Sequence, residues 1–369
     1  MRIATFNVEN MFERARAMNL DTWAAGKGIL EDFARLNTLI QEPEYTPDIS
    51  SELLELMQRN KGLLTTGKSQ YICLRDPRGD LVRKSGGKYS IAATGRAAWI
   101  GWFELLKEPV KQTATENTAR IIGLLQADVL AVVEAESRLC LKRFNDGVLG
   151  GLGLEPFAHV MLIDGNDDRG IDVGLMTRPA YEIARIVSHV DDRDDRGIVF
   201  SRDCAEYEIA TAQGNTLLVL VNHFKSKGYG GAAASTARRL RQAERVRAIY
   251  DQRIRQGYEY VAVVGDLNDT PDSTALDPLV TGSMLTDVMA HPEFEGDGRP
   301  GTHGNGTKSA KFDYILMSPR LCSRVIRGGV ERRGVWGGKN GTLFPHLPTM
   351  KSAVDAASDH AALWVDVDV

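Results

Sequence analysis

A carboxylate and an amide follow closely on a buried-type strand in the second half of the chain. Residues 260–264 (YVAVV) are apolar, Gly265 ends the run, and Asp266 and Asn268 come next. This pattern predicts a central β-strand that runs into a loop. The tip of a rigid strand is a common place for an active site. The alternative is a polar turn, in which Asp and Asn side chains bond to nearby backbone groups.

Polar residues of the same kinds recur at the ends of other apolar runs. They are Asn7 and Glu9 after "IATF", Glu134 after "DVLAVV", His223 after "LLVLVN", Asp313 in "FDYILM", and Asp359 and His360 before "AALWVDV". A charged group at the end of a buried strand costs free energy unless it is paired or binds a metal. Any one of these residues alone could simply finish a strand. Because several strands end this way, we expect the ends to converge on one site.

Periodicity predicts the elements that must position these residues. Residues 2–8 form a first strand, a helix and then several strands follow from residue 113, and a long amphipathic helix covers residues 232–256. Between them, "LEDFARLNTLIQ", "SSELLELMQRN" and "GRAAWIGWFELLK" predict helices, and the turn residues "DPRG" predict a hairpin in "SQYICLRDPRGDLVRKS". Residues 12–112 therefore form a mostly helical block, which is either an insertion subdomain or a cap.

Charge is unevenly distributed along the 369 residues, although the formal net charge is only -4. Residues 225–255 carry a net charge of +7, and residues 320–351 carry +6. Such segments can contact a phosphate backbone. The alternative for either segment alone is a solvated helix face with no partner.

Cysteine usage and hydropathy exclude several classes of protein. The four cysteines are scattered, with neither a CxxC pair nor a His cluster at zinc spacing, so we expect no disulfide framework and no structural zinc. The sequence has no apolar signal segment and no run of membrane-spanning length. We therefore predict a cytoplasmic protein with no membrane partner, and the oligomeric state stays open.

The motifs "FNVEN", "DVLAVVE", "VNHF", "GDLND", "FDYIL" and "SDH" occur in this order. Together they resemble the DNase I-like endonuclease/exonuclease/phosphatase superfamily, in particular its bacterial nuclease-like branch. The resemblance covers residues 1–10 and 113–369. It implies an α/β fold, a four-layer α/β/β/α sandwich, in a single catalytic domain of residues 1–369 with a mostly helical insertion, residues 12–112, after the first strand.

The resemblance also implies roles for individual residues. A divalent metal, Mg²⁺ or Mn²⁺, would be bound by oxygen ligands from Asn7, Glu134 and Asp359, with Glu9 as an additional ligand. The catalytic residues would be His360 oriented by Asp313, His223 oriented by Asp172, and Asp266 and Asn268, which position the water and the phosphate. The substrate would be bound by Arg202, Asn222 and Lys225. One departure is Val133, which stands where the superfamily usually has Gln.

The leading functional hypothesis is metal-dependent hydrolysis of nucleic acid, DNA rather than RNA, by an endonuclease. The same fold also supports phosphatases and phosphodiesterases of inositol phosphates, phospholipids or nucleotides. A third hypothesis is a nucleic-acid-binding module without catalysis. It is the weakest of the three, since every central acidic and imidazole position is filled.

Overall fold

The computed structural model describes residues 1–11, 15–18, 20, 23–107, 112–167, 170–227 and 231–369. The chain divides into two compact units. Unit 1 comprises Met1–Phe12 and Val110–Val369, and unit 2 comprises Glu13–Pro109. Every residue named above as a candidate for catalysis, metal binding or substrate binding belongs to unit 1.

Regular elements cover most of the described chain. The strands are β1 Arg2–Met11, β2 Ile72–Arg78, β3 Val82–Ser85, β4 Lys88–Ile91, β5 Ile100–Leu105, β6 Val129–Ala135, β7 His159–Ile163, β8 Asp172–Thr177, β9 Ile183–Val187, β10 Arg193–Asp194, β11 Gly197–Ile198, β12 Cys204–Ala210, β13 Thr216–His223, β14 Tyr260–Asp266, β15 Thr286–Asp287, β16 Phe294–Glu295, β17 Asp313–Met317, β18 Val325–Glu331 and β19 Ala362–Val367. The α-helices are α1 Trp23–Leu39, α2 Pro47–Arg59, α3 Leu63–Thr66, α4 Gln112–Leu125, α5 Arg138–Arg143, α6 Ala232–Arg255, α7 Asp277–Val280 and α8 Pro319–Cys322.

Unit 1 is built on two mixed sheets. Sheet I has seven strands in the order β16-β18-β19-β1-β6-β8-β7, and sheet II has six in the order β15-β17-β14-β13-β12-β9. In sheet I, β1 is parallel to β6 and antiparallel to β19. In sheet II, β13 is parallel to β14, and β14 is antiparallel to β17. The central strands of both sheets are apolar on both faces, as expected for strands that are covered on both sides.

Three apolar clusters join the sheets and helices of unit 1 into layers. The middle cluster takes alternate residues from both sheets, for example Val129 from sheet I and Val219 from sheet II. The outer cluster on sheet I includes Ile121 of α4, and the outer cluster on sheet II includes Val246 and Ile249 of α6. The order of layers is therefore helix, sheet, sheet, helix, which confirms the predicted α/β/β/α sandwich.

Unit 2 has its own apolar core beneath α1, α2 and the ribbon of β2 and β5. Leu36 of α1, Met57 of α2 and Phe103 of β5 are buried together in it. The helices α1 and α2 agree with the helical patterns predicted at these positions. A second ribbon is formed by β3 and β4, which pair antiparallel.

Two local predictions in unit 2 were wrong. The segment "GRAAWIGWFELLK" is not a helix, because its bulky residues alternate: Ile100 and Trp102 are exposed, Phe103 is buried, and the segment forms β5. The expected hairpin around "DPRG" does not form either, because β2 runs on to Arg78 and pairs with β5. Pro77 lies where the register of that pair shifts, and an irregularity of this kind tolerates the missing N–H of Pro.

No helix among the described residues is both long and apolar enough to cross a membrane. The four cysteines, Cys73, Cys140, Cys204 and Cys322, are all free thiols.

Candidate active site

The polar residues predicted from the sequence meet at one end of the two sheets. Asn7 and Glu134 lie near the carboxyl ends of the parallel strands β1 and β6, and His223 and Asp266 end the parallel strands β13 and β14. Asp313 begins β17, which runs antiparallel to β14, so it lies directly opposite Asp266 in the pairing register. Strand direction therefore brings carboxylate, amide and imidazole groups together, as the sequence pattern predicted.

His360 and Asp313 form a buried hydrogen-bonded pair. The Nδ1 atom of His360 lies 2.8 Å from Oδ2 of Asp313, and both side chains are at least nine-tenths buried. Burial alone would lower the pKa of His360, but the negative charges of Asp313, Asp266 and Asp359 raise it well above its ordinary value. The carboxylate of Asp313 thus fixes the ring orientation and favours the imidazolium form, with Nε2 directed toward the site centre.

Asp266 lies at the centre of the site. Its Oδ1 accepts the backbone N–H of Asn268 at 2.8 Å, and its Oδ2 accepts the side-chain amide of Asn7 at 3.2 Å. The Nε2 atoms of His223 and His360 lie 3.7 and 3.9 Å from the same Oδ2. These last separations exceed a direct hydrogen bond and are typical of groups that share a water or a substrate oxygen. Burial, opposed by His360, raises the pKa of Asp266 to about 7.

Glu134 reaches the site because the backbone of β6 changes its alternation there. Leu130 and Val132 face the outer cluster of sheet I, so strict alternation would turn Glu134 the same way. Instead Glu134 has a φ of 69°, the pairing of β6 with β1 and β8 shifts at this point, and Ala135 takes the outward place. The carboxylate of Glu134 consequently lies 3.6 Å from Nε2 of His223 in the opposite sheet.

Strained backbone is concentrated at this site. Among the described residues other than glycine, positive φ angles occur at Glu9, Gln126, Glu134 and Asn268, and three of these four are candidate site residues. Left-handed conformations cost free energy for such residues and persist where the surrounding structure enforces them, which is common at functional sites. Gly265 has a φ of 122°, and a Cβ there would lie 2.0 Å from the carbonyl oxygen of Asn222. Only glycine fits at the strand tip that delivers Asp266.

A group of oxygen ligands surrounds Asn7. Its Oδ1 accepts the backbone N–H of Glu9 at 3.0 Å, and a carboxylate oxygen of Glu9 accepts the backbone N–H of Asp359 at 2.8 Å. Although Glu9 reaches the surface, the protein around its carboxylate and the nearby charges of Asp359 and Glu134 raise its pKa to about 7. Carboxylates that repel one another in this way leave a negative charge that a divalent cation would neutralise. The donor set fits the oxygen preference of Mg²⁺ or Mn²⁺.

Among the described residues, two groups of histidine and acidic side chains bring possible ligand atoms within 4.8 Å of one another: Asp266, Asp313 and His360, and His303, Asp359 and His360. Both depend on His360, whose Nδ1 is already hydrogen-bonded to Asp313 and whose pKa is raised by carboxylates. A protonated imidazole is a poor metal ligand. The Asp313–His360 pair therefore suits acid–base chemistry better than metal binding, and metal binding by the oxygen ligands around Asn7 stays a prediction.

Two residues of the site were not predicted from the sequence. His303 contacts Asp359 through Nε2 at 3.1 Å, and its ring packs edge-on against that of His360 with centroids 4.7 Å apart. Ser358 is fully buried, donates from Oγ to the carbonyl of Asn7 at 2.7 Å, and accepts the N–H of His360 at 2.9 Å. Ser358 belongs to the "SDH" motif, so its neighbours pointed to it. His303 lies in a glycine-rich loop whose pattern gave no indication of a role.

Asp172 and Arg202 both contact the segment between β7 and β8. Oδ1 of Asp172 accepts the N–H of Gly165 at 2.8 Å, and burial together with nearby acidic residues raises the pKa of Asp172 to about 7. Arg202 is 1% exposed, pairs with Asp167 at 3.0 Å and donates from Nη1 to the carbonyl of Phe224 at 3.3 Å. Arg202 thus connects the segment between β7 and β8 to Phe224, which follows β13. Its contact with a substrate phosphate and the orientation of His223 by Asp172 stay predictions.

Asn222 and Lys225 flank His223 on either side. Asn222 is fully buried, and its amide donates to the carbonyl of Leu220 at 3.0 Å on the face of β13 opposite to His223. The backbone N–H of Lys225 donates to Gln242 of α6 at 2.9 Å. Their roles in substrate binding stay predictions, and the buried position of Asn222 favours a structural role for that residue.

The basic segments are largely paired with acidic residues. In residues 225–255, pairs at 2.8 Å or less link Lys227 and Arg239 to Asp269, Arg241 to Asp194, Arg245 to Asp192, Arg247 to Asp251 and Arg253 to Glu206. In residues 320–351, pairs link Arg320 to Glu259, Arg327 to Asp366, Arg332 to Asp297 and Arg333 to Glu331. The net charges counted along the sequence therefore overstate the positive charge that these segments offer to a ligand.

An α/β/β/α sandwich with carboxylates and imidazoles at one end of its paired sheets defines a class of phosphoester hydrolases. A family model described as the endonuclease/exonuclease/phosphatase family matches residues 103–288, half of the chain. The chain belongs to this family, and its members are hydrolases that act on phosphoesters. The match includes Glu134, His223 and Asp266, whereas Asn7 and the Asp313–His360 pair lie outside it and are connected to the site by the geometry described above.

Solved structures agree on the fold. A mannosyl-6-phosphatase from Bacteroides thetaiotaomicron has a TM-score of 0.51 and 16% identity over 69% of this chain and 91% of that chain. An endonuclease/exonuclease/phosphatase family protein from the same organism has a TM-score of 0.50 and 18% identity over 68% of this chain and 85% of that chain. At these identities the likeness concerns the fold alone. None of the curated proteins compared with the chain matches it.

Proposed function

We propose that the chain is a divalent-metal-dependent phosphodiesterase that cleaves nucleic acid, preferably DNA and as an endonuclease, by in-line attack of water. One observation carries the proposal: the buried Asp313–His360 pair, His223 and Asp266 lie around one centre, with a group of oxygen ligands beside it. Phosphodiester hydrolysis needs a positioned water, a group that protonates the leaving oxygen and compensation for the charge of the phosphate. This arrangement contains groups suited to each task.

The metal ligands are proposed to be Asn7, Glu9, Glu134 and Asp359, holding Mg²⁺ or Mn²⁺. A bound divalent ion would neutralise charge on the phosphate oxygens. The four side chains suit this role because three are carboxylates, and the amide of Asn7 is held between the N–H of Glu9 and the carboxylate of Asp266. Removal of one carboxylate is expected to weaken metal binding and activity together.

The protein groups have separate tasks in this proposal. Asp266 and Asn268 orient the attacking water, since the carboxylate of Asp266 is fixed by two hydrogen bonds and accepts a proton readily at neutral pH. His360, kept in one orientation by Asp313, donates a hydrogen bond to a phosphate oxygen from Nε2. His223 donates from the opposite side of the same centre, next to Glu134. The residues proposed to bind the substrate beside this centre are Arg202, Asn222 and Lys225.

A second candidate function is hydrolysis of a small phosphoester such as a sugar phosphate, an inositol phosphate or a nucleotide. It is favoured by the ion pairs that neutralise most of the basic residues in residues 225–255. A similar structure is named a mannosyl-6-phosphatase, so the fold is compatible with a sugar phosphate. A small substrate would need few cationic contacts beyond the metal.

The two functions separate in one experiment. Supercoiled plasmid, linear DNA, single-stranded DNA, RNA and a panel of small phosphoesters are incubated with the protein in Mg²⁺ or Mn²⁺. Nicking of the plasmid that disappears in Asp266→Ala and His360→Ala supports the nuclease. The matched control is His291→Ala, since the ring of His291 accepts a hydrogen bond from the backbone N–H of Glu293 in its own loop. Turnover of small phosphoesters with every nucleic acid intact would select the second function.

A further inference from the structure

The outer face of the ribbon formed by β2 and β5 in unit 2 carries large exposed apolar side chains beside arginines. Trp102 is 45% exposed and Ile100 is 49% exposed, whereas Phe103 on the other face of β5 is buried in the core of unit 2. The pairing register places Arg75 opposite Trp102 and Arg78 opposite Ile100. Because directly opposed residues of a strand pair share a face, these four residues form one surface, here called the ribbon face.

The ribbon face is anchored from below. Its backbone is held by the antiparallel pairing of β2 with β5, and Ile72 and Phe103 pack into the core on the inner side. Gly101 lies between Ile100 and Trp102, where a Cβ would meet the ring of Trp99 at 1.9 Å. The close packing beneath β5 fixes the direction in which Trp102 leaves the strand.

Glu104 organises the polar part of this surface. Its carboxylate accepts two contacts from the guanidinium of Arg75, at 2.6 and 2.7 Å. The pKa of Glu104 lies below its ordinary value chiefly because of this hydrogen bonding, and the indole N–H of Trp102 contributes to the same effect. Glu104 therefore holds a guanidinium and an indole side by side while the ring face stays accessible to solvent.

The segment around the ribbon face is positively charged. Residues 68–107 contain eight basic and three acidic residues, a net charge of +5, whereas residues 13–67 have nine acidic and six basic residues. The basic residues include Arg83, Lys84 and Lys88 on the neighbouring ribbon of β3 and β4, all exposed. The net positive charge of unit 2 thus lies in the strand-rich part that carries the exposed indole.

We propose that the ribbon face is a docking surface for single-stranded nucleic acid, in which a base stacks on Trp102 and a flanking phosphate contacts Arg78. The substrate class is taken from the function proposed above, on which this inference rests. An exposed aromatic ring on a strand, flanked by arginines, is the common arrangement in proteins that bind single strands. A protein partner would use the same aromatic and arginine side chains. The net charge of +5 favours the polyanion.

The test measures binding of a fluorescein-labelled oligothymidylate to the full chain by anisotropy, in EDTA so that no cleavage occurs. Trp102→Ala should weaken binding about ten-fold or more, as expected for loss of one stacked base. Trp102→Phe should retain most of the affinity because it keeps an aromatic face. Arg78→Gln should lower the slope of log Kd against log salt by about 0.7, the value for one phosphate contact with a single strand. Arg255→Gln, an exposed arginine of unit 1, is the charge-matched control and should leave both quantities unchanged.

Several outcomes would overturn the proposal. Wild-type affinity in Trp102→Ala would show that no base stacks on the ribbon face, and a protein partner would then be the better explanation of its exposed side chains. Equal changes of the salt slope in Arg78→Gln and Arg255→Gln would indicate a general charge effect and no phosphate contact at the ribbon face. Because Trp102 is exposed, both its variants should fold, and circular dichroism checks this. Hydrolysis of bis(p-nitrophenyl) phosphate separates this proposal from the proposed function: inactivity of the wild type defeats the latter, whereas Trp102→Ala should hydrolyse this small ester at the wild-type rate.

Discussion

Asp172→Asn should make the protein more stable, and only above a certain pH. Burial raises the pKa of Asp172 from 3.8 to about 7, with contributions from Asp164 and Asp167. Between about pH 4 and pH 7 the folded state therefore binds a proton that the unfolded state has released. Stability must then fall as the pH rises through this window, by about 1.4 kcal/mol per pH unit, and level off above about pH 7.

The magnitude follows from that window. Between about pH 5 and pH 8 the wild type should lose about 2 to 3 kcal/mol through this group, since only the roughly two units up to pH 7 count. An asparagine cannot ionise, so the variant escapes this loss. Its new NH₂ group carries a constant cost of about 1 to 3 kcal/mol if it finds no partner. The quantity to compare is the stability difference between variant and wild type, measured once at about pH 5 and once at about pH 8. The constant cost is the same at both pH values and therefore cancels.

The assay is urea unfolding of wild type and variant at both pH values, with Asp195→Asn as the matched control. Asp195 is exposed and does not contribute to the pKa of Asp172, so its variant should differ from wild type by less than about 0.5 kcal/mol at either pH. If Asp172 orients His223 as predicted, the stabilised variant should also have a lower kcat, a trade typical of active-site residues. A stability difference that is the same at both pH values would refute the reasoning, because it would mean that Asp172 is ionised at both.

Three further predictions address the pair, the strand tip and the metal. Asp313→Ala removes the acceptor that holds His360 at 2.8 Å and should lower kcat at least about 100-fold with little change in KM. Steady-state kinetics measure both quantities, and a wild-type kcat would contradict the proposed role of the pair. Gly265→Ala places a Cβ 2.0 Å from the carbonyl of Asn222 at a φ of 122°, and should cost about 2 kcal/mol or more in urea unfolding, so wild-type stability would show that the strand tip adapts. Mg²⁺ at about 100 times its Kd should stabilise the protein by about 2.7 kcal/mol over EDTA, and Glu134→Gln should reduce this gain; a thermal midpoint insensitive to Mg²⁺ would count against the ligand set.

The sequence predicted the elements and the convergence of the site because both follow from local pattern. Apolar runs that end in Asp, Asn, Glu or His locate the carboxyl ends of β1, β6, β13 and β14, and parallel pairing then brings the ends together. The sequence could not predict how Glu134 turns toward His223. Simple alternation points it to the outer cluster, and only the left-handed backbone and register shift in the folded sheet reverse its direction. Strain of this kind depends on the tertiary structure that enforces it.

His303 was missed for a related reason. Its contacts with Asp359 and His360 arise from an isolated backbone pairing between two segments that are distant in the chain, which no local pattern encodes. The errors at β2 and β5 are different, because both helix and strand patterns were available in "GRAAWIGWFELLK". The strand prevails because Trp99 and Phe103 enter the core of unit 2, while Ile100 and Trp102 between them face outward. Tertiary packing thus decided between two periodicities that the segment satisfies about equally.

The ion pairs of the folded protein determine how many of the positive charges counted along the sequence can contact a ligand. The helix α6 has the arginine content of a nucleic-acid-binding helix, yet Arg239 and Arg253 are buried against Asp269 and Glu206, where breaking the pair would leave an unpaired buried charge. Such arginines stabilise the sandwich and contribute little to ligand binding. In unit 2, by contrast, the exposed Arg78 lies opposite Ile100 on the ribbon face, which also carries the exposed indole of Trp102. If nucleic acid is the substrate, the salt dependence of its binding should therefore respond to Arg78 more than to the arginines of α6.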